Sequence, residues 1–256
     1  MAPNIPDASN ATAIISYSPA DFVSRYHRIE IRDVSISINK YMIGVHADDD
    51  GARRRNAVRA AADKKRLVVD KGAFLRASMG KVSPDDCEHI LSLAVESGAV
   101  KEASLQDFAD KALGLDCTGF VVAYFDAIGR IDIGKYSGGA GCHFLVDRAF
   151  KAVPKGSTPL IWDANEARIG DMIVWMTSKR IETRKPGHIA LVSSSDVLPS
   201  ALVIAESSGG GDGFGHSGPK NNTKTFDGVK EEGGARYISL NGKDKVIIVR
   251  PPPAFG

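Results

Sequence analysis

Near Gly129 the hydrophobic pattern of the chain changes period, and few folds accommodate both halves. Beyond that point apolar residues come in short unbroken runs: Met172–Met176 after Gly170-Asp171, His188–Val192 after Pro186-Gly187, Ala201–Ala205 after a polar turn, and Val246–Val249 before Arg250 and three prolines. Short runs rich in Val and Ile and bounded by glycine or proline read as strands. Before Gly129 the signals are mostly helical. Ser18-Pro19 ahead of Phe22, Val23 and Tyr26 supplies an N-cap, a proline at the first helical position and one apolar face. Ser83-Pro84-Asp85-Asp86 opens a similar helix to about Ser97, and Ser104 a further one carrying Leu105, Phe108 and Leu113. Val34, Ile36 and Ile38 alternate with polar residues, as in a short strand. Helices first and strands afterwards imply an α+β fold in which a small antiparallel sheet packs against the helical part. The 256 residues then divide into a mostly helical, basic extension over 1–80 and one domain over 81–256. No internal repeat suggests a solenoid or propeller.

With 43% apolar and 25% charged residues, disorder is excluded as the main state. Thirty-three Lys and Arg against 31 Asp and Glu leave +2, so no global field draws the chain to nucleic acid or a membrane. Locally, Gly51 to Gly80 holds nine basic residues against Asp63 and Asp70, or +7, which leaves −5 for the remainder. Such a stripe is either a solvated helix face, the expectation here, or a dock for an anionic polymer. Cys87, Cys117 and Cys142 are too widely spaced for a zinc knuckle or a disulfide framework, and no His-Glu-x-x-His occurs, so no metal is expected. The glycines at 209–215 follow a strand but open no helix and contain no Gly-Lys-Ser/Thr, so no nucleotide or other cofactor is expected. No apolar run reaches about 18 residues, and the N-terminus carries no Sec-type signal. The expected location is therefore cytoplasmic, or outside the cell by a specialised non-Sec route.

Three residues suggest chemistry. Cys117 stands at the start of an apolar helix, where free N–H groups and the helix dipole stabilise a thiolate and an oxyanion. His188 opens a strand after Pro186-Gly187, and Glu206 ends the next one. If those strands form a hairpin, the carboxylate accepts from the His188 Nδ1–H and orients the ring as a base for the sulfur. Taken singly, each has a plainer reading: a small buried hydrophobe, a structural histidine and a surface charge. Cys142-His143 reads as a structural pair on a strand, its side chains pointing to opposite faces. His216 reads as a solvated histidine in a glycine loop.

Asp116-Cys117-Thr118-Gly119-Phe120 resembles the Asp-Cys-Ser-Gly-Phe signature of the NlpC-type cell-wall cysteine peptidases, papain-like enzymes related to the CHAP amidases. Ile169–Trp175 is similar to that family's Pro-Gly-Asp-Leu strand, Gly187–Val192 to its Gly-His-Val-Gly-Ile-Val strand, and the last strand with Arg250 and Pro251 also matches. The resemblance covers roughly Ser104 to Pro253 and implies a papain-like fold with the cysteine helix on a small sheet. It implies hydrolysis of an amide in bacterial peptidoglycan stem peptides through an acyl-enzyme, with Cys117 as nucleophile and His188 as base. The third position is commonly histidine in NlpC-type enzymes and an acid in CHAP amidases; Glu206 fits the latter. The family's Tyr-x-x-Gly-Gly segment is not visible before Cys117. The long stretch between Phe125 and Ile169 holds Tyr136, Gly138, Gly139, Cys142 and His143 as a candidate cleft wall. The function expected is a peptidoglycan endopeptidase or amidase; alternatives are acyl transfer, deamidation of a protein glutamine, or a non-catalytic binding module. Expected partners are a peptide substrate and an inhibitor, immunity or secretion protein.

Overall fold

The computed structural model describes residues 17–42, 49–132, 141–176, 186–194, 201–209 and 218–253. In chain order the elements are α1 (Pro19–Tyr26), β1 (Ile29–Ile31), β2 (Val34–Ile36), α2 (Asp49–Lys64), α3 (Lys71–Ser78), α4 (Pro84–Glu96), α5 (Leu105–Ala112), α6 (Cys117–Ala127) and α7 (Cys142–Ala152). The strands β3 (Leu160–Ile161), β4 (Met172–Met176), β5 (Pro186–Ser194), β6 (Ala201–Ser208), β7 (Gly218–Glu232), β8 (Ala235–Leu240) and β9 (Asp244–Val249) follow. Caps set the helix starts. Ser18 and Asp21 form a reciprocal capping box at α1, as do Ser83 and Asp86 at α4.

The strands do not form the small open sheet expected of a papain-like domain. β4 to β9 pair antiparallel in sequence, and β9 also pairs with β4, closing a six-stranded barrel; β3 adds to the far end of β9. Closure depends on β7 and β8, which contribute few of the apolar runs that mark the other strands. β7 is fifteen residues long and polar, and a bulge between Phe226 and Val229 bends it. Gly233 and Gly234 then take positive φ values of 61° and 81°, the geometry of a primed two-residue turn that folds β8 back. Curved this way, β8 reaches β9 and the sheet has no need to stay open.

The N-terminal part also departs from a mostly helical extension. β1 and β2 form a hairpin with Ile29 opposite Ile36, because Ile29, Ile31 and Ile36 bury one face. α1 seats on α6 through Phe22, whose ring lies 5.8 Å from Phe120 and 5.7 Å from Tyr124, and the Tyr26 hydroxyl donates to the Val82 carbonyl.

β4, β5, β6 and β9 are buried on both faces, which explains their unbroken apolar runs. Met172 and Val174 of β4, Ile189 and Leu191 of β5, and Ile247 and Val249 of β9 join the core shared with the helices. Ile173, Ala190, Val192, Val246 and Ile248 alternate with them and pack with Leu202, Ile204, Ile238 and Leu240 in a second core. Buried Asp171, just before β4, accepts two bonds from Arg250 at the end of β9, at 2.9 and 3.1 Å, and ties these strands together.

Candidate active site

Cys117 is the first residue of α6, and the chain leading to it is held from several sides. Leu115 bridges both Tyr41 and Lys81, the Asp116 N–H donates to the Gly80 carbonyl at 2.9 Å, and the Ser207 hydroxyl at the end of β6 donates to the Leu115 carbonyl at 2.7 Å. Asp116 is the N-cap, accepting from the Gly119 N–H at 2.6 Å. Burial raises the Asp116 pKa, while Lys81, 2.5 Å from its carboxylate, opposes that shift. Gly119 is required for closeness: a Cβ there would lie 2.1 Å from the Gly80 oxygen.

His188 and Glu206 come together through strand register. Leu191 pairs with Ala205 and Val192 with Ile204, so Ala190 falls opposite Glu206 and His188 lies diagonally across from it on the same face. The His188 Nε2 is 2.5 Å from a Glu206 carboxylate oxygen, and the other carboxylate oxygen accepts from the Asn222 amide on β7. The expected contact was to Nδ1. A histidine near the start of β5 meets an acid near the end of β6 through the far edge of its ring, which leaves Nδ1 for the sulfur. Trp175, opposite His188 on β4, sets its ring edge-on to the imidazole at 5.0 Å.

Among the described residues the Cys117 sulfur has five polar neighbours: the Thr118 hydroxyl at 4.0 Å, the Cys142 thiol, the His188 ring, the Ile189 N–H and the Tyr41 hydroxyl. Its pKa is held well below the ordinary thiol range: the hydrogen bond from Cys142 favours the thiolate most, burial opposes it, and His188 and the Ile189 N–H add to the lowering. Burial opposes charge on His188, but bonds to Cys117 and Glu206 outweigh it and raise its pKa to about 9. Glu206 shows the same contest, burial pushing its pKa up and His188 bringing it below the ordinary value. The resting arrangement is therefore a thiolate beside an imidazolium, with a carboxylate behind the ring. Burial and the nearby Cys117 and Asp116 charges raise the Tyr41 pKa, so its hydroxyl stays protonated and hydrogen-bonds the sulfur.

The structure thus brings Cys117, His188 and Glu206 together and adds Tyr41, which sequence reasoning missed, and Cys142, which it placed only in a structural pair and a candidate cleft wall. Cys142 is not on a strand; it opens α7, with Gly141 as N-cap and Leu145, Val146 and Ala149 on the buried side. That helical spacing was a usable signal. Tyr41 offered none, because its place beside Cys117 comes from the bridge to Leu115. His143 is exposed on α7. Tyr136, Gly138, Gly139 and His216 lie outside the described residues.

Elsewhere the basic segment is partly spent on internal bonds. Arg55 is buried and donates to the Ala112 carbonyl, Arg76 pairs with Asp86 at 2.6 Å, and Arg54 pairs with Asp50 at 2.8 Å. Among the described residues no group of three or more His, Cys, Asp or Glu side chains is placed to hold a metal ion, and no helix is long and apolar enough to cross a membrane. Compared with protein-family models, curated proteins and solved structures, the chain matches none.

Proposed function

We propose that the chain is a cysteine-dependent amide hydrolase acting through an acyl-enzyme on Cys117. The observation that carries this reading is the convergence, at a helix N-terminus, of a sulfur, an imidazole and a carboxylate supplied by α6, β5 and β6. A thiolate already ionised attacks an amide carbonyl without first losing a proton. The Cys117 and Thr118 N–H groups at the start of α6 and the Tyr41 hydroxyl are donors for the oxyanion that forms. His188 gives its proton to the leaving amine, then takes one from the water that hydrolyses the thioester. Glu206 keeps the ring oriented and favours its charged form.

The substrate class in this reading is a bacterial peptidoglycan stem peptide. It is supported by the likeness of the Asp116–Phe120, Ile169–Trp175 and Gly187–Val192 stretches to the cell-wall cysteine peptidases. The proposal concerns the chemistry of the site and does not depend on a papain-like fold.

A muropeptide digest followed by mass spectrometry tests it. The native protein is expected to convert stem peptides to shorter products. Cys117→Ala leaves them intact, and His188→Ala slows cleavage by roughly 10²–10⁴-fold. Intact muropeptides in the presence of active, alkylatable Cys117 overturn the substrate; acylation of an added amine in place of hydrolysis overturns the reaction class.

A further inference from the structure

Two of the three cysteines meet at the site, and the hydrolytic chemistry above needs only one of them. Cys117 and Cys142 are the opening residues of α6 and α7, each 6% exposed. Their sulfurs are within hydrogen-bonding reach, Cys142 donating to Cys117. Two helix N-termini therefore point at one sulfur pair, and both favour negative charge there. We propose that Cys117 and Cys142 form a peroxide-sensitive dithiol, which closes reversibly to a Cys117–Cys142 disulfide.

The chemistry balances with a hydroperoxide as oxidant. The Cys117 thiolate attacks one peroxide oxygen; an S–O bond forms, the O–O bond breaks, and the departing hydroxide takes a proton from the His188 imidazolium to leave as water. Sulfur has then lost two electrons and stands as a sulfenic acid. Cys142 attacks that sulfur; an S–S bond forms, the S–O bond breaks, and the Cys142 proton leaves with the hydroxide as a second water. Overall two thiols and one peroxide give one disulfide and two waters.

The order of steps follows from the electrostatics. While Cys117 is a thiolate, the hydrogen bond to it, burial and its charge, in that order, raise the Cys142 pKa and keep that thiol protonated. Oxidation of Cys117 to the uncharged sulfenic acid removes the charge, so Cys142 becomes able to ionise at the start of α7 just when an electrophile stands beside it. Cys87 is the internal contrast. It is fully buried within α4, and burial with the Asp86 and Asp85 charges raises its pKa, so it stays a thiol.

This goes beyond the amide-hydrolase reading, because it needs the sulfur pair and no substrate. Should that reading also hold, the disulfide consumes the nucleophile and the oxidised protein is inactive until reduced.

The test uses the full chain, stoichiometric hydrogen peroxide, intact mass and peptide mapping. The native protein is expected to lose the mass of two hydrogens and two of its three titratable thiols. Mapping is expected to join the Cys117 and Cys142 peptides, and dithiothreitol to restore both thiols. Cys142→Ser is expected instead to gain oxygen atoms at Cys117 that dithiothreitol does not fully remove, while Cys87→Ser behaves as the native protein. Native protein that accumulates sulfinic acid at Cys117, bridges through Cys87, or leaves all three thiols unchanged overturns the proposal. The mapping on unsubstituted protein stands even if a variant fails to fold. Since mass and thiol count are read without substrate, failure of the muropeptide assay leaves this result intact.

Discussion

Cys117 receives hydrogen bonds from Cys142, from the His188 ring and from the Ile189 N–H, and each favours the sulfur only when it is ionised. The consequence is a pH profile unlike that of a free thiol, whose pKa is about 8.5. Below that value a free thiol alkylates about tenfold faster for each unit of pH, because its thiolate fraction rises tenfold. Cys117, ionised throughout, is expected to react with iodoacetamide at a nearly constant rate between about pH 5 and 8. His188→Ala restores part of the slope. A tenfold-per-unit rise in the native protein would sink the ion-pair description. Turnover has a second limit. His188 must be protonated to release the amine, and its pKa is raised to about 9, so activity falls as pH rises through that value. It also falls as pH drops through the depressed Cys117 pKa. Glu206→Gln removes one cause of the raised His188 pKa, so the alkaline limb is expected to move to lower pH while the acid limb stays governed by Cys117. A pH–rate profile of both proteins reads this directly. These residues were legible as candidates from helix and strand ends. The ring edge that meets Glu206 was not, because it depends on side-chain torsions across a strand pair.

The first turn of α6 is where local sequence and tertiary packing meet. Asp116 caps the helix, as its position before an apolar run predicts, and the same carboxylate also holds buried Lys81. Gly119 lets α6 approach the Gly80–Lys81 backbone, and through that approach sets where the sulfur sits. Gly119→Ala is expected to cost about 1–3 kcal/mol of stability by overpacking. It also displaces Cys117 from His188, so Cys117 alkylation should become more strongly pH-dependent in the folded variant. Denaturant titration and labelling of the same sample check both effects; unchanged stability would contradict the close approach. Helix starts at Ser18, Ser83 and Asp116 could be read ahead of the structure, since a cap needs only residues three positions apart. β7 could not. Its polar residues alternate between half-buried and exposed, and no apolar run marks it as part of a barrel.

Across the molecule, the same strands serve two cores: one face of β4, β5, β6 and β9 packs with the helices and the other packs within the barrel. Loosening one core therefore loosens the other, and unfolding is expected to be a single transition, seen at the same denaturant concentration by far-UV circular dichroism and by Trp162 and Trp175 fluorescence. Ile204→Ala, fully buried within the barrel, is expected to lower that stability by about 2–5 kcal/mol while keeping the two signals coincident. Separate midpoints for the two probes would show that the cores unfold independently. Caps, periodicity and the apolar strand runs are readable along the chain, because each depends on side chains a few positions apart; Cys117, His188 and Glu206 are readable one by one from their places at helix and strand ends. Closure of the barrel, the bend of β7, and the delivery of Tyr41 and Cys142 to the Cys117 sulfur are not. They arise from register and curvature summed over many paired residues, and from contacts between segments far apart in the chain, whose free energies exist only once the whole molecule has packed.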